Sequence, residues 1–262
     1  MYFDSHAHYY DAKLKDEFGE GVDKLIDSLK KDNKVSHIIN VGTNIENSKI
    51  ALEQAKHCDV MYVGAGIHPT DCKEISDMQN ALAELKALIT ANRDKIVALG
   101  EIGLDYHWEP IEKPRQKGYF YSQLDLAEEL SIPVIIHDRE AHGDCFDAVA
   151  HRKNIRGVFH SYSGSYEMAK DLIDRGWYIS FSGTLTFKNA ERVREVAKRL
   201  PHDRVLIETD APYLTPHPYR GRVNHSGYLE YTNEALASVW GIDAKESAKI
   251  TEENAKRLFG IS

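Results

Sequence analysis

Short, almost continuously apolar runs punctuate this chain, and between them apolar residues recur every three or four positions. The runs are Tyr2–Ser5, Ser36–Val41, Met61–Gly64, Ile96–Gly100, Pro133–Ile136, Val158–Phe159, Tyr178–Phe181 and Val205–Glu208. Their shortness and lack of polar alternation predict strands covered on both faces. Val22, Leu25, Ile26 and Leu29, or Leu82, Leu85, Leu88 and Ile89, have the spacing of one helix face. Met168, Leu172 and Ile173 give another, with Gly176 as its stop. Thr43-x-x-Glu46 and Ser76-x-x-Gln79 read as capping boxes that open two helices. Two last helices are expected around Tyr228–Trp240 and Ala244–Phe259, with Gly260 beyond.

Eight strands alternating with helices predict an α/β chain folded as a single (β/α)8 barrel over residues 1–262. That length is close to the roughly 250 residues typical of such a barrel. An open doubly wound nucleotide-binding sheet would show a glycine-rich phosphate loop after its first strand. Here the first strand ends in His6-Ala7-His8 instead.

In a parallel barrel the C-terminal ends of all strands open on one face, so residues far apart in sequence meet there. His6 and His8 follow the first apolar run, Glu101 the fourth, His137 the fifth, His160 the sixth and Asp210 the eighth. Each alone is unremarkable, since a lone strand-end histidine is usually structural and a lone carboxylate a solvated loop charge. Together they are a ligand set for divalent cations at the expected mouth of the barrel. His6 and His8, two apart on an extended segment, point the same way. Glu101 sits in Gly100-Glu101-Ile102-Gly103, where glycines allow close backbone approach and a carboxylate can bridge two ions. Four imidazoles favour Zn²⁺ or Mn²⁺, and the carboxylates also admit Mg²⁺.

Composition narrows the function. With 42% apolar and 28% charged residues the chain is an ordinary globular one. Its formal charge of −8 argues against coating nucleic acid along the phosphates, and requires any polyanionic substrate to be gripped locally. No apolar run approaches the roughly 20 residues of a membrane span, so no membrane association is expected. The N-terminus enters a strand at once, without the pattern of a signal peptide. Cys58, Cys72 and Cys145 are an odd, scattered set that reads as reduced thiols, which with the N-terminus points to the cytoplasm. No obligate protein partner is evident.

Several motifs resemble one family in the right order along nearly the whole chain: D-S-H-A-H at Asp4–His8, G-I-H-P at Gly66–Pro69, G-E-I-G-L-D-Y at Gly100–Tyr106 and Q-L-D-L-A at Gln123–Ala127. I-P-V-I-I-H-D-R at Ile132–Arg139, H-S-Y-S-G-S at His160–Ser165 and E-T-D-A-P-Y-L at Glu208–Leu214 follow. The chain resembles the TatD metal-dependent deoxyribonucleases of the amidohydrolase superfamily. The resemblance implies His6, His8, Glu101 and Asp210 around one ion and Glu101, His137 and His160 around the other, with Glu101 bridging. It further implies hydrolysis of DNA phosphodiesters, 3′ to 5′ from single-stranded ends, with Asp210 positioning the attacking water and taking its proton. Arg139, Arg220 and Arg222 are expected to clamp phosphate oxygens, and His68 to hydrogen-bond phosphate. Glu208, two residues before Asp210, is expected to support a metal histidine, with an interior structural carboxylate paired to a charge as the alternative. Tyr106, His107 and Trp108 read mainly as a loop-packing cluster, with base stacking as the alternative. One departure stands out: where the family often shows R-G-x-x-N-E-P, this chain reads Arg220 to Ser226 as R-G-R-V-N-H-S.

Two other classes compete. The same site would serve a hydrolase of another ester or amide, such as an aminoacyl-tRNA deacylase, and only the substrate loops would differ. A barrel that had become a binding or scaffold protein should have lost a ligand, and none is missing.

Overall fold

The apolar runs lie side by side in the computed structural model, which describes residues 1–32, 34–108 and 112–262. The first half comprises β1 (Tyr2–Ala7), α1 (Ala12–Phe18), α2 (Val22–Lys31), β2 (Val35–Val41), α3 (Ile45–Lys56), β3 (Met61–Ala65), α4 (Met78–Ala91), β4 (Ile96–Asp105) and α5 (Lys113–Leu130). The second comprises β5 (Val134–Arg139), α6 (His142–Ala150), β6 (Gly157–Phe159), α7 (Tyr166–Asp174), β7 (Tyr178–Phe181), α8 (Glu191–Arg199), β8 (Val205–Ile207), α9 (Leu229–Trp240) and α10 (Ala244–Phe259). The strands form one parallel sheet in sequence order from β1 to β8. This is a (β/α)8 barrel. None of the described helices is long and apolar enough to cross a membrane.

The sheet closes where β8 returns to β1, and closure is made at the rim. The Asp210 N–H donates to the His6 carbonyl at 2.9 Å and the His8 N–H to the Ala211 carbonyl at 2.7 Å. Below them the buried Asp4 carboxylate accepts from the Thr209 N–H (2.9 Å), the Thr209 hydroxyl (2.6 Å) and the Ser226 hydroxyl (2.7 Å). Burial raises the Asp4 pKa to about 6 against the pull of these donors. Inside the barrel Phe3, Ile39, Ala98, Ile135, Val158 and Leu206 pack together, and Leu258 and Phe259 of α10 join them at the end away from the ligands. The bottom is therefore plugged and only the C-terminal face is left open to chemistry.

Two expectations need correction. The helix starts lie one residue later than the Thr43 and Ser76 boxes: Asn44 caps α3 by accepting from the Asn47 N–H, and Asp77 caps α4 by accepting from the Asn80 N–H. Asn and Asp reach the exposed N–H groups of a first turn at least as well as Ser or Thr, so the adjacent residue captures the cap. Strands β1, β4 and β5 also run past their apolar stretches, because the backbone ladder continues under polar side chains. Gly103 pairs with His137 and Asp105 with Arg139. His6, Glu101 and His137 thus project from within strands, which holds them more rigidly than loops would.

Gly103 is where that extension demands glycine. Its φ is +148°, and a Cβ there would lie 1.9 Å from the His137 carbonyl oxygen. Gly103→Ala is expected to cost about 3 kcal/mol in urea denaturation of the metal-free protein. Gly118→Ala, in the middle of α5 with nothing within 4 Å of the new Cβ, should instead gain up to about 1 kcal/mol. A Gly103→Ala loss below about 1 kcal/mol would contradict this account of the strand pair.

Candidate metal centre

Glu101 stands at the centre of the open face, 3% exposed, with its two carboxylate oxygens facing different partners. Oε1 lies 2.6 Å from His137 Nδ1 and 2.8 Å from His160 Nε2. Oε2 lies 3.5 Å from His6 Nε2 and 3.8 Å from His8 Nε2. Asp210 closes the second group, its Oδ1 3.4 Å from His8 Nε2 and 3.8 Å from His6 Nε2. It can do so because its backbone turns left-handed at φ 57°, a conformation that Asp tolerates better than most residues. All six residues that the sequence singled out as ligands thus converge.

The donor chemistry fits bound cations. The facing nitrogens of His6 and His8 are 3.2 Å apart, and those of His137 and His160 3.3 Å. Two imidazole lone pairs at that distance repel unless a proton or a metal ion lies between them. Three of the four rings are also tied from behind. His8 Nδ1 donates to the Val41 carbonyl at 2.6 Å, His137 Nε2 to Asp105 at 2.9 Å and His160 Nδ1 to Glu208 at 3.2 Å. A ring that donates outward presents its other nitrogen inward as a lone pair, the form in which histidine binds metal. Among the described residues, His6 Nδ1 is buried with no such partner.

Charge is balanced within the cluster. Burial opposes ionisation of Glu101, yet the imidazoles of His160, His68, His6 and His137 outweigh it and hold the carboxyl well below the usual range. Burial likewise opposes a proton on His160, and Glu101 and Glu208 overcome it, raising the ring well above its ordinary value. In the metal-free site protons therefore supply positive charge that a cation would replace. Asp105 is held at about 2, its burial outweighed by the hydrogen bond from His137.

The family model for TatD related DNase matches residues 3–260. The chain belongs to the TatD family. It is 39% identical to the metal-dependent hydrolase YabD of Bacillus subtilis, with 100% of both chains covered. It is 34% identical to YcfH of Escherichia coli K12, another metal-dependent hydrolase, covering 98% of this chain and 95% of that one. Among solved structures, the TatD homologue YjjV of Escherichia coli superposes with a TM-score of 0.89 at 28% identity, covering 100% of this chain and 98% of that one. These TatD relatives and the ligand set make this chain a metal-dependent hydrolase.

The expected substrate residues divide. His68 is buried at the cavity edge, its Nδ1 2.7 Å from the Thr70 hydroxyl and its Nε2 3.7 Å from Glu101. Burial first, and His137 next, push its pKa down to about 3, so the ring is neutral. Arg139 borders the cavity with its guanidinium over the Trp108 ring. Arg220 and Arg222 are not among the residues bordering that cavity. Arg220 donates to the Thr215 carbonyl and lies over Phe187, and Arg222 lies over Tyr219.

The aromatic trio splits as well: the Tyr106 hydroxyl donates to Asp144, whereas Trp108 is 58% exposed at the cavity. Around the departure from R-G-x-x-N-E-P, the retained Asn224 and the altered His225 and Ser226 build the loop of this TatD chain. Asn224 donates to the Thr209 and Tyr213 carbonyls, His225 accepts from the Gly227 N–H, and Ser226 bonds Asp4.

Asp105 had no role in the sequence reading, and it joins two parts of the site. One oxygen orients His137, and the other accepts from the His107 and Trp108 N–H groups. Its signal in sequence was its place in the G-E-I-G-L-D-Y motif, four residues beyond Glu101. Asp105→Ala should lower affinity for Mn²⁺ or Zn²⁺ about 10- to 100-fold, read by chelator competition. An affinity unchanged within about twofold would show that His137 needs no such support.

Proposed function

We propose that this protein is a divalent-metal-dependent deoxyribonuclease that trims single-stranded DNA ends in the 3′ to 5′ direction. The observation that carries the proposal is the division of Glu101, one oxygen toward His137 and His160 and the other toward His6, His8 and Asp210. That arrangement suits two cations sharing a carboxylate, with Mg²⁺, Mn²⁺ and Zn²⁺ all compatible with the donors. When bound, such a pair polarises a phosphoryl oxygen and makes water nucleophilic near neutral pH.

The chain's own residues account for the rest. Asp210, at the rim and 15% exposed, is placed to accept the proton of an attacking water. Arg139 and His68, at the cavity edge, are placed to hold the phosphate beside it. Arg220 and Arg222 lie further out and would meet the strand only beyond the reacting phosphate. With a net charge of −8 the protein has little long-range attraction for DNA, so an end is held by local contacts instead. Three free cysteines, two of them buried, fit a cytoplasmic setting.

The test uses single-stranded DNA labelled at either end and metal-stripped protein, with each ion added back in turn. Stepwise shortening from the 3′ end that needs metal is the expected result. Glu101→Ala should slow it about a hundredfold or more, equivalent to about 3 kcal/mol in the barrier. Metal-loaded, folded protein that leaves DNA intact would overturn the nuclease reading and turn attention to other esters and amides.

A further inference from the structure

The cavity over the ligands has a volume of about 780 Å³, and its charged lining lies with the ligand cluster and the nearby Asp105, Asp138 and Arg139. One side, built after β6 and β7, presents Tyr162, Phe187, Ala190 and Val193, with the polar side chains of Thr184 and Asn189 among them. None of these residues has a part in the hydrolysis described above. The wall is nevertheless fixed in place. Arg194 donates to the Phe187 carbonyl at 2.7 Å and the Leu185 carbonyl at 3.1 Å. The Arg220 guanidinium lies 4.1 Å from the centre of the Phe187 ring, and the Tyr162 hydroxyl donates to the Ser165 carbonyl at 2.7 Å. Asn189 is exposed, and its side-chain amide makes no hydrogen bond among the described residues.

We infer that this wall is a subsite for the nucleobase of the terminal nucleotide, an inference that rests on the phosphodiesterase reading. A base is a flat ring with polar edges. It needs an apolar surface for its faces and an amide or hydroxyl at its rim, and Phe187 with Val193 and Asn189 with Thr184 provide these side by side. The wall shares one cavity with Glu101, Asp210 and His160, so the base and its phosphate can be held together. Stacking of this kind is tolerant of base identity. It also requires an unpaired base, because a base in a duplex would have to leave its stack to enter. The subsite thus selects frayed or single-stranded ends without reading sequence.

The test compares single strands ending at the 3′ side in a normal nucleotide or in an abasic tetrahydrofuran residue, in wild type and Phe187→Ala. Wild type should release the normal residue with a kcat/KM about tenfold above the abasic one, and Phe187→Ala should bring that ratio to within about twofold of one. Calorimetry of the metal-loaded proteins provides a readout apart from turnover. Wild type should bind dAMP about tenfold more tightly than deoxyribose 5-phosphate, and the variant should show little difference. Phe187→Trp should restore both ratios, and Val193→Asp replaces Phe187→Ala if that protein does not fold. Equal handling of normal and abasic ends by wild type would overturn the subsite while leaving the nuclease reading intact. Failure to hydrolyse either end would overturn both.

Discussion

A carboxylate held almost entirely out of water is the constraint on which this structure turns. Glu101 is surrounded by imidazoles on both sides, and their charge in turn holds its carboxyl ionised. Ionised carboxylates are costly to bury unless opposite charge and hydrogen bonds surround them. The barrel meets that cost by bringing four histidines from three strand ends to the two oxygens. Three of these histidines, His8, His137 and His160, are fixed in turn by Val41, Asp105 and Glu208 behind them. Ring orientation, proton position and inward lone pairs all follow from those outward bonds. The closing seam between β8 and β1 serves the same centre, since the backbone bond joining Asp210 to His6 is one of its links.

Much of this was legible in the sequence because barrel geometry is simple. A polar residue at the end of an apolar run has one place to go, and that rule located His6, His8, Glu101, His137, His160 and Asp210. The helix starts were off by one residue because Asn44 and Asp77 cap at least as well as the hydroxyls beside them. The lengths of β1, β4 and β5 were missed because a backbone ladder does not need apolar side chains to continue. The Val41 carbonyl has no sequence signature at all. Arg220 and Arg222 show what sequence does not reach: chemistry makes any arginine a plausible phosphate clamp, yet a loop's course decides where its guanidinium ends, here over Phe187 and Tyr219. The wall containing Phe187 has no periodic signature, since it is assembled from separate places: Tyr162 after β6, Phe187 after β7 and Val193 in α8.

On the proposed nuclease reading, the arrangement of charge lets an acidic protein act on a polyanion. At the floor of the cavity positive charge resides in the ligand cluster, where protons on buried histidines hold the place of cations. Beyond it the cavity is bounded by single polar groups such as Arg139 and by aromatic surface, so attraction is short-ranged and tied to shape. A substrate that can thread one end into the cavity is favoured over one that lies along the surface.

The most direct check is anomalous diffraction from crystals of the metal-free protein soaked in Mn²⁺. The account predicts two ions, one beside His6, His8 and Asp210 and the other beside His137 and His160, with Glu101 touching both. A single ion, or two ions that do not share Glu101, would contradict it.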